Sequence, residues 1–456
     1  MRRPLPNNRL IPRAFHSNAV DMAFRFQFGK RADSAFPAAL ILFALLAVVS
    51  MGATARAADE ADTYAGRTAA SWVAQLKAED QSERRRAAYA LGRIAPNDIS
   101  VVQALVAALD DPYQPARRYV VHSLGRIGPP AESAIGAIVH AIGDDKNDDY
   151  FRYMAVQALG RIGKRSDNVS DVLHQALASG NLVYRVHASL ALWKIHHDAE
   201  SLDNLTALLN QDDPVVLFEA AMAIAELGPA AEPAAPRLVQ LLAHHDSDVR
   251  RAAAATLVRI GQPALPLLVD TLQDASAGTD PRAVIYAVGR ILDQIRGDVI
   301  EAPETTIETL RDAAGPLLTT VAPALVARFD AEDEALRFAA ADAVARLGLL
   351  AVPLLARTIE NPNERLSQTA VVAFERLEQH LPPAKTSALA PLRANLVAPL
   401  LAVMQSQDPT RRRAGFRAFQ ALELPTTAPE TQLVLQRSLK DTDAGVRRYA
   451  KELLQE

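Results

Sequence analysis

Residues 246–272 read DSDVRRAAAATLVRIGQPALPLLVDTL. Asp246 and Ser247 are residues that accept hydrogen bonds from the free N–H groups at a helix start. Val249, Ala253, Ala254, Leu257 and Ile260 then recur at three- and four-residue spacing, which is one apolar stripe of a helix. Gly261 and Pro263 end it. Ala264 to Leu272 is a second apolar stretch, with a proline near its start. Neither helix can bury its stripe alone, so this stretch predicts a two-helix unit that is stable only in a stack of similar units.

The same phrase, Arg-x-x-Ala-x-x-Ala-Leu-x-x-Ile-Gly, recurs along the chain. It stands at Arg84 to Ile94, Arg117 to Ile127, Arg152 to Ile162, Arg185 to Ile195 and Arg250 to Ile260. Looser copies begin at Leu217, Pro281, Arg337, Ser367, Arg412 and Val446, and the first seven copies start 31 to 35 residues apart. A period of that size predicts an all-α fold, an α-solenoid of about eleven helix pairs. Each unit then touches only its neighbours, so the 456 residues make one stacked body rather than several globules. Apolar residues make up 49% of the chain, enough for a continuous core. With no cysteine, disulfides, thiolate metal sites and cysteine nucleophiles are excluded.

The turn aspartate, the Val-Arg opening of the second helix in Asp248-Val249-Arg250, and the ending Ala158-Leu159-Gly160-Arg161-Ile162-Gly163 resemble the HEAT-repeat family. The likeness is to the short HEAT-like repeats named after phycobilisome lyases, and it covers residues 68–456. It implies that the second helices line the concave side of a superhelix. It says little about activity, since the name follows the repeat. We read a regular array over 68–295 and a less regular one over 296–456, with inserts near 296–330 and 378–408 marked by Pro303 and Pro382-Pro383. Trp72, in the first helix of the first unit, is expected to cover the open end of the core.

Residues 1–57 are different in kind. Arg25, Lys30 and Arg31 precede an apolar run from Ala38 to Ser50, and Ala55-Arg56-Ala57 has the small-x-small form of a signal-peptidase site. This is the order of a secretory leader, with Met22 as a possible start, and the run is short for a membrane span. We expect an exported protein, periplasmic or extracellular, with 58–67 as its N-terminal linker. The alternative is an uncleaved membrane anchor. The leader carries eight Lys and Arg against two acids, which leaves 41 basic and 51 acidic residues in the remainder. An acidic body argues against general nucleic-acid binding.

Signals of catalysis are weak. His196-His197-Asp198 and His244-His245-Asp246 look like metal ligands, but neighbouring histidines do not face each other on a helix. Asp144 to Asp149 lacks the glycine and final glutamate of a calcium loop, which leaves Asp148 or Asp149 as a helix cap. No His-Glu pair, phosphate loop or nucleophile elbow is present. We expect no cofactor and no metal.

Positions one, five and eight after the register residue lie opposite the buried stripe. The first column reads Arg85, Arg118, Tyr153, Val186, Phe218, Arg251, Arg282, Phe338, Gln368, Arg413, Arg447, and the second includes Leu190, Met222 and Tyr286. Six arginines without a carboxylate suggest a face for an acidic-patched protein, with Val186, Leu190, Phe218 and Met222 as its apolar centre. Two further columns, the register arginines and those nine positions later, read as structural, bonding turns and helix ends of adjacent units. The function expected is a protein-interaction scaffold. The alternatives are a lyase or other enzyme of the HEAT-like type, or a structural cell-envelope component. N-terminal sequencing of the protein recovered from its host should begin at Ala58, and a form retaining Leu40 to Val49 would show an anchored chain instead.

Overall fold

The structure, a computed structural model, describes residues 63–94, 98–197, 199–274, 278–301, 315, 317–380 and 394–455. The leader, Pro303, Pro316 and Pro382-Pro383 lie outside these residues. Residues 64–456 form one compact unit.

The helices fall into two rows, as the repeat requires. The first helices of the units are α1 (Ala69–Gln75), α3 (Ile99–Ala107), α5 (Ile135–Ile142), α7 (Asp167–Leu177), α9 (Ala199–Leu208) and α11 (Ala235–Leu241). They continue as α13 (Leu265–Gln273), α15 (Ala322–Val326), α17 (Val352–Ile359), α19 (Val397–Met404) and α21 (Pro429–Ser438). The second helices are α2 (Gln81–Ile94), α4 (Gln114–Ile127), α6 (Asp149–Ile162), α8 (Leu182–His196), α10 (Pro214–Ala225) and α12 (Ser247–Ile260). They continue as α14 (Pro281–Glu301), α16 (Glu334–Ala345), α18 (Glu364–Arg376), α20 (Pro409–Ala421) and α22 (Ala444–Gln455). Among the described residues these make eleven pairs. Every second helix packs on the next, from α2 to α22, including α14 on α16 and α18 on α20 across the two inserts.

Local chemistry sets the ends. Asp148, Asn181, Asp213, Asp246, Asp333, Asn363 and Asp408 each accept a backbone N–H in the first turn of a second helix. Gly261 closes α12 at φ +76°, a conformation that favours glycine. In several units a short 3₁₀ turn follows before the next helix begins, as at Gly228–Ala234, so α11 is shorter than its apolar pattern suggests. At the N-terminal end Thr68 caps α1, and Trp72 is buried over the core with its Nε1 donating to the Tyr64 carbonyl at 3.1 Å.

The register arginine is the recurring polar element. Its Nη1 donates to the two turn carbonyls five and six residues before it. Arg84 binds Ala78 and Glu79, Arg250 binds His244 and His245, Arg337 binds Ala331 and Glu332, and Arg412 binds Ser406 and Gln407. Arg447 does the same with Asp441 and Thr442. Arg447 is therefore a register residue, not a member of the exposed column in which its looser repeat had placed it. Several of these arginines also reach the next unit. Arg84 makes a two-pronged pair with Asp111 at 2.6 and 3.0 Å, and Arg412 reaches Asp441 at 2.8 Å. Arg117, buried, donates to Asn147 Oδ1 and to the Lys146 carbonyl, both at 2.7 Å.

In the first three units, position eight after the register residue is not on the exposed face. Gly92, Gly125 and Gly160 lie where one second helix meets the next. A Cβ on Gly125 would stand 2.8 Å from Ala158 Cα, and one on Gly160 would stand 2.8 Å from Ala191 Cα. The backbones touch there, so no side chain fits between them. Two apolar clusters fill the interior, one running from Trp72 to α8 and the other from α8 to Leu453. Among the described residues no single helix is long and apolar enough to cross a membrane.

Gly125→Val should lower stability by roughly 2–3 kcal/mol through overpacking. Gly136→Ala, on an exposed glycine of α5 with nothing within 4 Å, should be neutral or stabilising. Urea unfolding of the two variants checks the contrast.

A candidate interaction face on the second helices

Positions one, five and nine after the register residue follow each other at four-residue steps, and so fall on one side of each second helix. On the first three second helices that side carries Arg85, Tyr89 and Arg93, then Arg118, His122 and Arg126, then Tyr153, Gln157 and Arg161.

The first row, read from sequence as unopposed arginines, is largely neutralised. Arg118 pairs with the capping Asp148 and lies 4.9 Å from the Tyr150 ring centre. Arg251 pairs with Asp248, and Arg282 with Asp280 at 3.1 Å. Arg413 is 3.6 Å from Asp443. The cause is local. The start of a second helix is where capping aspartates gather, so an arginine in the first turn finds one at hand. Arg85 is half-buried and has no ion pair among the described residues.

The apolar centre is also rearranged. Val186 and Leu190 are 0% and 7% exposed, inside the core, and present nothing to a partner. Helix α8 is apolar nearly all round, and such a helix is covered on every side. It gives Val186 and Leu190 to one apolar cluster and Ala188, Ala191 and Leu192 to the other. Phe218 is half-buried against the core. Met222 and Tyr286 remain 42% and 60% exposed, with Phe338 further along at 36%.

Tyr153 is held in a polar chain that the sequence pattern does not show. Gln157 Nε2 donates to the Tyr153 hydroxyl at 2.9 Å and lies 3.1 Å from His187 Nδ1, while His187 Nε2 stands 3.4 Å from Glu219 Oε2. These groups link α6, α8 and α10 through a buried histidine. Burial, with Glu219 nearby, pushes the Tyr153 phenol above its ordinary range.

The row at position nine divides in two. From the fourth unit on, carboxylates and carbonyls answer most of it. Lys194 pairs with Glu226 at 2.5 Å, Arg346 with Asp293 and Asp342, and Arg376 approaches Asp342 at 3.8 Å. In the first three units Arg93, Arg126 and Arg161 are exposed and have no ion pair among the described residues. Arg126 Nε donates to the Gly92 carbonyl at 2.9 Å. Burial and the charges of Arg93 and Arg161 push the Arg126 guanidinium below its ordinary value. The structural role expected for position nine holds for Arg126, which bonds a helix end of the preceding unit, and for most of the row from the fourth unit on; Arg93 and Arg161 have no such bond among the described residues. At the other end of the face, Glu375, Thr410, Arg413, Arg417 and Arg448 line a cleft of about 580 Å³.

The sequence motifs for metal are engaged otherwise. His244 Nδ1 accepts the Asp246 N–H at 3.1 Å, Asp246 caps α12, and His196 Nε2 lies 3.0 Å from Ser170 Oγ. Among the described residues, no group of three or more His, Asp or Glu side chains converges as a metal site would require.

Residues 69–160, 102–181 and 219–289 match the family of HEAT repeats. A curated relative, the uncharacterized protein SkfG of Bacillus subtilis (strain 168), is 36% identical over 101 residues, 22% of this chain and 57% of the relative. The match thus spans little more than half of that relative's length. Among solved structures, an engineered protein is 21% identical with a TM-score of 0.30, covering 85% of this chain and 98% of its own. Kap95p from a complex with RanGDP is 14% identical at a TM-score of 0.42, covering 85% and 55%. The CpcE and CpcF complex of phycocyanin lyase from Nostoc sp. PCC7120 is 23% identical at 0.37, covering 51% and 89%.

Burial, together with the charges of Arg161 and Arg126, lowers His122 to about 4 from its ordinary 6.5. Between those values the unfolded chain binds a proton that the folded chain does not, so stability falls as pH falls through this window. The loss at about pH 5 should be about 1 kcal/mol after allowance for solvent at the ring. His122→Gln should flatten that part of the pH profile of the urea midpoint.

Proposed function

We propose that this chain, a member of the HEAT-repeat family, is an exported scaffold that binds a protein partner along the face of its second helices. The observation that carries the reading is the exposure of Met222 and Tyr286, 42% and 60%, at the same position of α10 and α14. Both sit five positions after the register residue, on α10 and α14, with the small Ala255 at the same place on α12 between them. Apolar groups left open among charged ones are the usual composition of a docking site.

Arg251 and Arg282 flank this centre, exposed and held by aspartates near their own helix starts. Exposed pairs of this kind contribute little to stability, so their partners can be exchanged for those of a bound protein. The partner inferred therefore carries acidic groups around an apolar anchor. The basic, apolar, small-x-small order of residues 25–57 supports export.

Crosslinking in the source cell, followed by purification, would identify the partner. The double variant Met222→Glu with Tyr286→Glu should weaken its capture ten-fold or more, with helicity and thermal midpoint unchanged because both side chains are exposed. Undiminished capture would overturn the assignment of this face.

A further inference from the structure

Three guanidiniums stand in a row at the C-terminal ends of α2, α4 and α6, and among the described residues no carboxylate answers them. They are near enough that Arg93 and Arg161 both bear on Arg126, and Arg126 and Arg161 both bear on His122. The Nδ1 atom of His122 is buried without a hydrogen-bond partner. Elsewhere in the same row the chain supplies counter-charge. Arg259 has only the Ala225 carbonyl, but it stands between Lys194, paired with Glu226, and Arg290, 3.9 Å from Asp293. Among the described residues the N-terminal three are the consecutive stretch of the row left without an internal anion.

We propose that Arg93, Arg126 and Arg161 form a ladder that binds an extended acidic segment of a polypeptide, in polyproline II conformation, with a carboxylate at every third residue. The proposal rests on the scaffold reading for the premise that the ligand is a protein; it adds the chemistry and spacing of a second contact, separate from Met222 and Tyr286.

Spacing selects the ligand. Neighbouring packed helices lie about 8–10 Å apart, so one small anion cannot bridge all three arginines. A polyproline II segment turns once in three residues and rises about 3.1 Å per residue. Side chains at i, i+3 and i+6 therefore project from one side about 9 Å apart, which matches one carboxylate per helix. A β-strand does not match, because its same-side residues recur every second position, at about 6.6 Å. The ladder is also partly set in advance, since the Nε bond of Arg126 to Gly92 holds one guanidinium over the preceding helix. Such preorganisation lowers the ordering cost of binding.

A single nucleic-acid strand is the competing polyanion. Bases need open aromatic faces to stack on. The neighbouring tyrosines are packed on each other instead: Tyr89 meets Tyr64 edge-on at 5.9 Å and Tyr119 at 5.7 Å, and all three are half-buried.

The test uses fluorescence anisotropy with the purified chain and three labelled probes. One peptide carries glutamate at every third position, a second has the same composition with glutamate at every second position, and the third probe is oligothymidylate. The every-third peptide should bind at least ten-fold more tightly than the other two, and its affinity should fall with added salt. Replacing all three arginines by alanine should remove the preference while leaving helicity intact. Should that variant fail to fold, Arg93→Glu alone, at an exposed site, should reduce affinity at least five-fold. Equal binding of the two peptides, stronger binding of the oligonucleotide, or indifference to Arg93→Glu would each overturn the proposal. Retained peptide binding beside failed dependence on Met222 and Tyr286 would overturn the apolar docking site alone.

Discussion

The fold depends on a guanidinium that recurs at one place in eight of the eleven units. A turn between two antiparallel helices ends one and begins another, and its carbonyl groups have no helical partner. Left without bonds under the next unit, they would oppose stacking. The register arginine answers two of them with a single Nη1, as Arg412 does for Ser406 and Gln407. Its remaining donors are then aimed along the stack, toward Asp441 in that case and toward Asn147 in the case of Arg117. The same side chain thus closes its own turn and fixes the distance to its neighbour. The apolar stripes supply most of the driving force, but they are non-directional. The arginine gives them a register.

Along the second helices the packing is then decided by size. Where glycine faces alanine, as at Gly125 and Ala158, the backbones meet. Ser123 and Thr256 add hydroxyl bonds across the same seam, to the Ala88 carbonyl at 2.7 Å and the Ala221 carbonyl at 2.8 Å. The charge of the exposed side follows helix polarity. Capping aspartates collect at the starts and neutralise most of the arginines there, while at the ends of the first three second helices no carboxylate does so among the described residues. Free positive charge therefore survives at the ends, and it persists in the three units whose neighbours supply no acid.

The array itself was legible because its signals are local and repeated. Asp246, Gly261 and the stripe from Val249 to Ile260 act within one helix, and the structure places each in that role. The lid formed by Trp72 was legible from its position alone. The exposed face was not, because exposure depends on neighbours that a helical wheel omits. Val186 and Leu190 lie on the expected side of α8, yet α8 is apolar all round and is covered there as well. The glycines at position eight looked open on a single helix and prove to be the contact between two. Four of the six arginines meet aspartates that a column count omits, and for Arg118 and Arg413 these are Asp148 and Asp443 of the next unit, about thirty positions away in sequence. The loose copy near Val446 was set one residue early, which put Arg447 in the wrong row.

The clamp has a genetic consequence. Where the clamp is complete, a unit holds a guanidinium that reaches forward and a turn acceptor that receives the one behind, as the second unit does with Arg117, which reaches Asn147, and Asp111, which receives Arg84. The two halves travel together in any in-frame copy of one period. A duplicated unit inserted between two others meets a donor on one side and an acceptor on the other, and leaves no group stranded. Length in such a chain can therefore change by whole units without redesign of the joints, whereas a copy cut at the wrong phase loses its arginine to a foreign turn.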